Sequence, residues 1–292
     1  MRYPSETPEP SGALQAKGAR VSRVGYQGEP GAYSEQAVRA LFADAAAAPC
    51  RTFRAIFEGI ESRELDRGVV PLENSTAGSI NETYDLLAAG SARIVGEVIV
   101  RVDHALLALR GTRVEDVRRV SSHPQALAQC QQYLAGLDVE VVPVYDTAGA
   151  AKHLAEHESE GEAAIASERA AEVYGLEVLA ARIQDDKLNQ TRFAAIGPAG
   201  AAPLGRPDKT SLVFEVRDAP GALFRSLGPF AERGLNLSKL ESRPLVGTPW
   251  EYRFYLDIEA AADDPAVVAA LGEMNEFAEH VQVLGSYPRW KE

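Results

Sequence analysis

Short apolar segments that favour β-strands alternate with segments of helical periodicity along the first 200 residues. Residues 21–27 predict a strand, and the turn from Gly28 to Gly31 precedes a helix that Ser34 can cap and that runs to about residue 47. Residues 54–65 predict a second helix. This alternation predicts an α/β fold whose parallel sheets are covered on both faces.

One extended stretch, residues 93–109, is longer than the other strands and suits a segment that crosses between two lobes. The rest of the pattern predicts strands at residues 69–70, 117–120, 139–144 and 163–166, with helices at 80–88 after Ser79 as cap, from Pro124, at 147–156, and between Ser167 and Gly175. Residues 191–196 predict a strand that returns to the first lobe. Two lobes joined by a double crossing leave a cleft between them, which is a common place for a ligand.

The order of elements changes after residues 197–208, which contain three prolines and three glycines and predict a linker. Beyond it the pattern predicts strands at residues 210–216, 236–242, 252–258 and 281–284, and helices at 222–233 and 265–277. This βαββαβ order in about 80 residues is typical of a ferredoxin-like unit.

The composition is that of an ordinary globular protein, and 292 residues are enough for two domains. The formal charge of −12 argues against a nucleic-acid surface, and the apolar runs are far shorter than the roughly 20 residues of a membrane helix. We therefore expect neither nucleic acid nor a membrane as a partner. Cys50 and Cys130 predict reduced, buried thiols and no disulfide framework.

The first 19 residues contain prolines and glutamates and no apolar core, which predicts a disordered N-terminal tail, residues 1–19. A secretory signal needs a basic start and an apolar segment, and a transit peptide avoids acidic residues. The segment has neither pattern. We therefore expect a cytoplasmic protein.

Four segments at predicted strand–helix junctions contain more small polar residues than a turn requires: residues 25–34, 71–79, 121–125 and 189–193. The glycines of the first can bring free N–H groups to an anion, although a tight turn explains the same glycines. His123 can act as a general acid or can simply cap the helix that follows. Arg192 can clamp a carboxylate or can be a surface or ion-pair arginine. The sequence has no nucleophile elbow, phosphate loop or zinc-ligand cluster, so we expect no cofactor and no metal.

Six ordered motifs make the chain resemble the prephenate dehydratase family from about residue 21 to residue 289. Four lie in the α/β part: Gly28-x-x-Gly31-Ala32-Tyr33-Ser34, Pro71-Leu72-Glu73-Asn74-Ser75 with Gly78-Ser79, Ser122-His123-Pro124-Gln125, and Thr191-Arg192-Phe193. Two resemble the ACT regulatory domain of that family: Gly221-Ala222-Leu223-Phe224 and Glu241-Ser242-Arg243-Pro244. Residues 26–35 and 183–193 resemble the plant arogenate dehydratases of the same family.

The resemblance implies an α/β catalytic domain with two lobes, similar to type 2 periplasmic binding proteins, followed by a ferredoxin-like ACT domain. We place the catalytic domain at residues 20–200, with one lobe at about 20–98 and 188–200 and the other at 99–187. We place the ACT domain at residues 208–289.

The resemblance also implies decarboxylating dehydration of prephenate to phenylpyruvate, or of arogenate to phenylalanine, with feedback by phenylalanine. The implied catalytic residues are Thr191, Glu73, Asn74, Ser75 and Gln129, and the implied substrate-binding residues are Gly31, Ala32, Gly78, Ser79, Ser122, His123, Arg192 and Phe193. The implied effector-binding residues are Gly221, Ala222, Leu223, Phe224, Asn236, Leu237, Glu241, Ser242, Arg243 and Pro244. We expect Thr191 at the leaving hydroxyl, and Glu73 as the proton donor if burial raises its pKa.

A ferredoxin-like unit of this size leaves a sheet edge that can pair with a second copy, so we expect a homodimer or a homotetramer. A different class of function fits the same folds: a non-catalytic regulator that joins a solute-binding domain to an amino-acid sensor. Such a regulator needs an output surface, for example a DNA-binding helical motif, and the sequence contains none.

Overall fold

The computed structural model describes residues 21–216, 219–245 and 251–291, which form three β-sheets with flanking helices. The predicted tail, residues 1–19, lies outside the described residues. The predicted fold class is confirmed, because two α/β lobes are followed by a ferredoxin-like unit.

The first lobe is built on a mixed sheet. Its strands are β1 (Arg23–Gln27), β2 (Ala46–Cys50), β3 (Arg67–Asn74), β4 (Gly78–Ser79), β5 (Arg93–Arg101) and β11 (Gln190–Gly197), and its helices are α1 (Tyr33–Leu41), α2 (Phe53–Glu61) and α3 (Asn81–Ala89). The strand order is β2-β1-β3-β11-β5, with β4 beside β3. Strands β2 and β3 run parallel to β1, whereas β11 is antiparallel to both β3 and β5.

The second lobe begins directly after β5. Its strands are β6 (Ala105–Ala108), β7 (Arg119–Ser122), β8 (Glu140–Pro143), β9 (Glu162–Ala166) and β10 (Glu177–Ala180), and its helices are α4 (Pro124–Gln129), α5 (Gln131–Leu134), α6 (Thr147–His157) and α7 (Glu168–Tyr174). The strand order is β10-β6-β9-β7-β8. The long extended stretch is therefore two strands, β5 and β6, that belong to different sheets, as a crossing segment requires.

The C-terminal unit has the predicted βαββαβ order. It contains β12 (Lys209–Val216), α8 (Ala222–Glu232), β13 (Leu237–Pro244), β14 (Tyr252–Ile258), α9 (Pro265–Met274) and β15 (Ala278–Tyr287). The antiparallel sheet has the order β13-β14-β12-β15, so β13 lies at an edge.

Four predictions about individual elements were wrong. Ser34 does not cap the first helix but lies within it. The sheets are mixed rather than parallel, because the crossing and returning strands run against their neighbours. The first helix ends at Leu41, and the alanine-rich segment Ala46–Cys50 is strand β2, since pairing with β1 overrides the helix propensity of alanine. Ser79 lies in β4, and α3 begins after Ile80 without a side-chain cap.

The expectation of two reduced, buried thiols holds in part. Both cysteines are free. Cys130 is buried, and burial raises the pKa of its thiol to about 12, whereas Cys50 is only partly buried. No helix within the described ranges is both long and apolar enough to cross a membrane.

The C-terminal unit packs directly on the first lobe rather than hanging from a linker. Tyr255, Leu284 and Tyr287 share one hydrophobic core with residues of the first lobe such as Ile94. At Gly285 the backbones approach so closely that a Cβ atom would overlap the carbonyl oxygen of Ile94. Strands β3, β5 and β11 therefore all contact the C-terminal sheet.

Candidate active site

A cleft of about 540 Å³ opens between the two lobes. Strands β3 and β11 form its floor, and the beginnings of α1, α4 and α6 form its walls. The polar and aromatic side chains that line it are Gln27, Tyr33, Ser34, Thr52, Phe53, Asn74, Ser79, Glu82, His104, His123, Gln125, Gln129, Tyr145, Asp146, Thr147, Thr191 and Phe193.

Adjacent residues of β3 and β11 face opposite directions. Asn74 pairs with Thr191, and Glu73 pairs with Arg192, in the antiparallel register of the two strands. Because side chains alternate along a strand, Asn74 and Thr191 line the cleft while their neighbours lie on the other face. An irregularity in the register then brings Pro71 opposite Phe193, so that both also line the cleft.

A chain of hydrogen bonds leads to the Thr191 hydroxyl. The Gln129 amide donates to Thr76 Oγ1 at 2.8 Å, and the Thr76 hydroxyl donates to Asn74 Oδ1 at 2.7 Å. The Asn74 amide in turn donates to Thr191 Oγ1 at 3.0 Å. Since Thr191 accepts this bond and no acceptor for its own hydrogen lies among the described residues, its O–H is available to a ligand in the cleft.

His104 lies at the other end of this chain and is 2% exposed. Its Nε2 is 2.9 Å from Gln129 Oε1, and its Nδ1 is 3.0 Å from the Tyr33 hydroxyl. Burial lowers the pKa of His104, although the bond to Gln129 and the charge of Asp103 oppose this shift. The ring is therefore neutral at pH 7, and donation to Gln129 requires the tautomer with hydrogen on Nε2.

The cleft suits an anion without containing a strong cation. Among the residues that the structure describes, no lysine or arginine lines the cleft. The first turns of α1 and α6 border it through Tyr33 and Thr147. The Asp146 carboxylate caps α6 and lines the cleft together with Glu82, whereas α1 has no side-chain cap. Free N–H groups at a helix N-terminus favour carboxylates, so the start of α1 is the place in the cleft that suits an anion.

The structure brings most of the predicted substrate and catalytic residues together. Those that line the cleft are Ala32, Asn74, Gly78, Ser79, His123, Gln129, Thr191 and Phe193. The imidazole of His123 also caps α4, because its Nδ1 accepts a hydrogen bond from Gln125 N at 3.2 Å. His123 thus caps the helix and also lines the cleft.

Three predicted residues lie close to the cleft but do not line it. Gly31, with φ +91°, packs against Ala170 of the second lobe, and its carbonyl accepts a bond from Ser167 at 2.6 Å. Ser122 is fully buried and donates to the carbonyl of Ile165 at 2.6 Å. Ser75 accepts from Gln190 N at 3.0 Å and thereby ties the turn after β3 to β11. Their contacts are structural in each case.

Glu73 and Arg192 require a correction, because both side chains point away from the cleft. Glu73 Oε2 is 3.0 Å from the Arg192 guanidinium and 3.1 Å from Lys239 of the C-terminal unit. Burial raises the pKa of Glu73, but the charges and hydrogen bonds of the two cations outweigh it and lower the pKa below its ordinary value. Glu73 is therefore ionised and does not line the cleft, and both properties are unsuitable for a proton donor.

Arg192 is an ion-pair arginine rather than a carboxylate clamp. Its guanidinium is also 3.1 Å from Glu97 Oε2 and 3.0 Å from Asp257 Oδ2, so three protein carboxylates surround it. Lys209 reaches two of these carboxylates, at 3.1 Å from Glu97 and 3.5 Å from Asp257. The buried charges join the first lobe to the C-terminal sheet.

The predicted effector residues at the start of α8 surround a turn. Gly221, with φ +77°, precedes the helix. Ala222 and Leu223 pack inward, whereas Phe224 is 80% exposed. The turn and one exposed aromatic side chain therefore lie at the surface of the unit.

The remaining predicted effector residues lie on β13 or just before it. Along the strand the side chains alternate, so that Ser242 and Pro244 are exposed while Glu241 and Arg243 contact the first lobe. Asn236 donates to Glu259 at 2.9 Å, and Leu237 packs against the core of the unit.

Tyr33, Thr76 and His104 belong to the hydrogen-bond chain but were missing from the predicted site. Tyr33 and Thr76 lie within the motif segments, yet a turn or a helix cap accounts for hydroxyls at such places. His104 lies in the crossing stretch between β5 and β6, outside every motif. One feature of the sequence could have predicted His104. It is a lone histidine between two apolar strands, in a segment that crosses between the lobes and therefore passes the cleft.

Comparison with known proteins identifies the family. The prephenate dehydratase family model matches residues 24–201, and the ACT domain model matches residues 210–275. The arogenate dehydratase/prephenate dehydratase 2, chloroplastic, of Arabidopsis thaliana is 47% identical over 283 residues, which cover 94% of this chain and 74% of that protein.

Two solved structures are also similar. The prephenate dehydratase of Arthrobacter aurescens in complex with L-Phe is 36% identical, with a TM-score of 0.83 over 91% of this chain and 90% of that one. A protein described as GqqA, a novel type of quorum quenching acylase, is 36% identical, with a TM-score of 0.84 over 92% of this chain and 98% of that one.

The relatives also overturn one expectation. Several of the Arabidopsis relatives are named as chloroplastic, which contradicts the expected cytoplasmic location. The alternative of a non-catalytic regulator is not favoured, because the relatives are named as dehydratases. Over both of its domains, the chain belongs to the prephenate dehydratase family.

Proposed function

We propose that the chain catalyses the decarboxylating dehydration of prephenate, or of its amino-acid counterpart arogenate, in phenylalanine biosynthesis. The observation that carries this proposal is the free O–H of Thr191 at the floor of a cleft bordered by helix N-termini. The family membership and the names of the relatives support the same reaction.

The reaction breaks two bonds that join substituents to the substrate ring. The bond to the ring carboxylate breaks and releases carbon dioxide, its electron pair completes the aromatic ring, and the opposite C–O bond breaks. The departing oxygen takes up one proton and leaves as water. Aromatisation supplies the driving force, so the enzyme has to position the ring and stabilise the departing oxygen.

Thr191 is proposed to donate its hydrogen bond to that oxygen. Asn74 fixes the threonine oxygen as an acceptor, and Gln129 and Thr76 fix Asn74, so that the hydroxyl hydrogen is directed into the cleft. A pre-oriented donor costs no reorganisation when charge develops on the leaving group. We assign Ser34 and the uncapped N-terminus of α1, which border the cleft, to the substrate carboxylates.

One of the similar structures is described as an acylase, and acyl transfer needs an activated nucleophile or water. Ser79 is the cleft hydroxyl with charged partners, since it contacts Lys239 and Glu241. Lys239 also contacts Glu73, so its ammonium lies between two carboxylates and has no lone pair with which to act as a base. Lys239 therefore cannot activate Ser79 as a nucleophile for acyl transfer.

We further propose that phenylalanine regulates the chain through the C-terminal unit and that the chain assembles as a homodimer or homotetramer. The complex of the Arthrobacter aurescens relative with L-Phe supports the effector. The exposed side chains of Ser242 and Phe224, together with the free edge of β13, support a surface shared between two copies.

The test is an assay of the full chain with prephenate and, separately, with arogenate at neutral pH. We expect phenylpyruvate from prephenate or phenylalanine from arogenate, and a lower rate when phenylalanine is added. An acylated quorum signal serves as the third substrate. Release of its acyl group, without turnover of the other two substrates, would replace dehydration by the acylase reaction.

A further inference from the structure

We propose that Lys239, a residue of the C-terminal unit, is a positioning residue for the cleft; the inference builds on the proposed dehydratase function. Its side chain is 10% exposed. The ammonium lies 3.1 Å from Glu73 Oε2, 2.7 Å from Ser79 Oγ and 2.9 Å from Glu241 Oε2. Lys239 thus binds both strands of the β3–β4 hairpin from a different domain.

The two residues that Lys239 holds form the base of this hairpin. Glu73 and Ser79 are cross-strand partners, and the next pair is Asn74 with Gly78. The turn between them carries Thr76, which donates to Asn74 and accepts from Gln129. Because Thr76 is exposed and β4 has only two residues, the position of the turn depends on how firmly its base is held.

Lys239 also separates two carboxylates. Glu73 and Glu241 both contact its ammonium, and the Ser79 hydroxyl donates to Glu241. Burial raises the pKa of Glu241, but its bonds with Ser79 and Lys239 outweigh burial and lower it. Without the ammonium, two negative charges face each other across Ser79, and their repulsion moves β13 away from the hairpin.

Strand β13 presents different side chains to its two faces. Lys239, Glu241 and Arg243 point toward the first lobe, where Arg243 pairs with Asp85 at 2.9 Å. Ser242 and the intervening side chains are exposed. A ligand or a second copy that shifts β13 from its outer face therefore displaces Lys239, and with it the base of the hairpin that orients Asn74.

The test compares Lys239→Met with Lys209→Met in the full chain. Lys209 is an equally buried lysine of the same unit that bridges Glu97 and Asp257, but it has no contact with the hairpin. We expect Lys239→Met to lower kcat about tenfold with KM changed less than about threefold, the signature of a misplaced catalytic group. Lys209→Met is expected to lower stability while its kcat stays within about twofold of wild type.

Amide hydrogen exchange gives a second readout that does not depend on turnover. Exchange at residues 74–80 is expected to be at least about threefold faster in Lys239→Met than in wild type, and unchanged in Lys209→Met. Unchanged exchange in Lys239→Met, or an equal rise in both variants, overturns the positioning role. An inactive wild-type chain with the predicted exchange pattern overturns the dehydratase function instead.

Discussion

The two faces of strands β3 and β11 use polar residues in opposite ways. On the cleft face, Asn74 and Thr191 are neutral and are linked by a directed hydrogen bond of 3.0 Å. On the opposite face, the partly exposed Glu73 and the buried Arg192 are charged and pair at 3.0 Å, and Arg192 belongs to a buried network that reaches the C-terminal sheet. One residue along each strand separates the two environments.

This difference shows how the floor of a cleft can be rigid and yet contain no charged side chain. The ion pairs fix the strands from behind, where a carboxylate and a guanidinium can satisfy each other. The cleft face can then orient a hydroxyl by neutral bonds, which leave room for the charge of the substrate. We therefore expect mutations on the two faces to have separable effects on stability and on turnover.

The largest effect is expected from Arg192→Met, which leaves Glu97 and Asp257 buried with fewer partners. Breaking a buried ion pair by removing one partner costs about 3–5 kcal/mol of unfolding free energy. Denaturant titration measures this loss. Arg119→Met is the control, because Arg119 pairs with Glu140 and Glu162 on the surface and its loss should be within error. An equally small loss for Arg192→Met would mean that the network does not hold the strands.

Thr191→Ala is expected to lower kcat by roughly 10²-fold, since it removes one donor to the departing oxygen. Stability should change little, because only the bond from Asn74 is lost. Thr191→Ser keeps the hydroxyl and should keep much of the activity. Initial rates at saturating substrate give the comparison, and a near-normal rate in the alanine variant would remove Thr191 from the mechanism.

His104→Ala is expected to lower kcat by about tenfold, because Gln129 then loses the donor that fixes its amide. His153→Ala, on the exposed side of α6, is the matched control and should leave kcat unchanged. If both variants have the wild-type rate, the orientation of Thr191 does not depend on the series of hydrogen bonds that begins at His104.

The smallest effect is expected from Glu73→Gln and concerns pH. The folded-state pKa of Glu73 is lower than its ordinary value of roughly 4.3, so the ionised carboxylate stabilises the fold above that value. This contribution is lost as the pH falls through the lower folded pKa. Urea titrations at pH values from about 6 to about 3 span this range. As the pH falls, the unfolding free energy of the glutamine variant should decrease less than that of wild type. Parallel curves would show that the carboxylate is not held by Arg192 and Lys239.

The order of elements could be predicted because each one is local. The aromatic alternation of β14 gave its bounds, Tyr252–Ile258, and Pro265 marked the start of α9. Strand β2 could not be predicted from its alanine-rich sequence, since only its pairing with β1 distinguishes it from a helix. The antiparallel direction of β11 likewise depends on a contact over 100 residues away in sequence.

The candidate site was predictable in composition but not in orientation. The predicted residues include Asn74, Thr191 and Gln129, which line the cleft, yet the motifs do not show which neighbour points into it. Glu73 and Arg192 belong to the same motifs, and carboxylates and arginines in polar motifs often bind ligands. Two of their partners, Asp257 and Lys239, lie in the C-terminal unit, and a local sequence pattern does not predict contacts between residues so far apart in the chain.

The most direct measurement is the rate of Thr191→Ala against that of Glu73→Gln, on whichever of prephenate or arogenate the wild-type chain converts. Both residues lie on the paired strands, but they face opposite sides. We predict that Thr191→Ala loses roughly 10²-fold in kcat whereas Glu73→Gln stays within several-fold of wild type. An equal loss in both variants, or a larger loss in Glu73→Gln, would contradict the division between a neutral catalytic face and a charged supporting face.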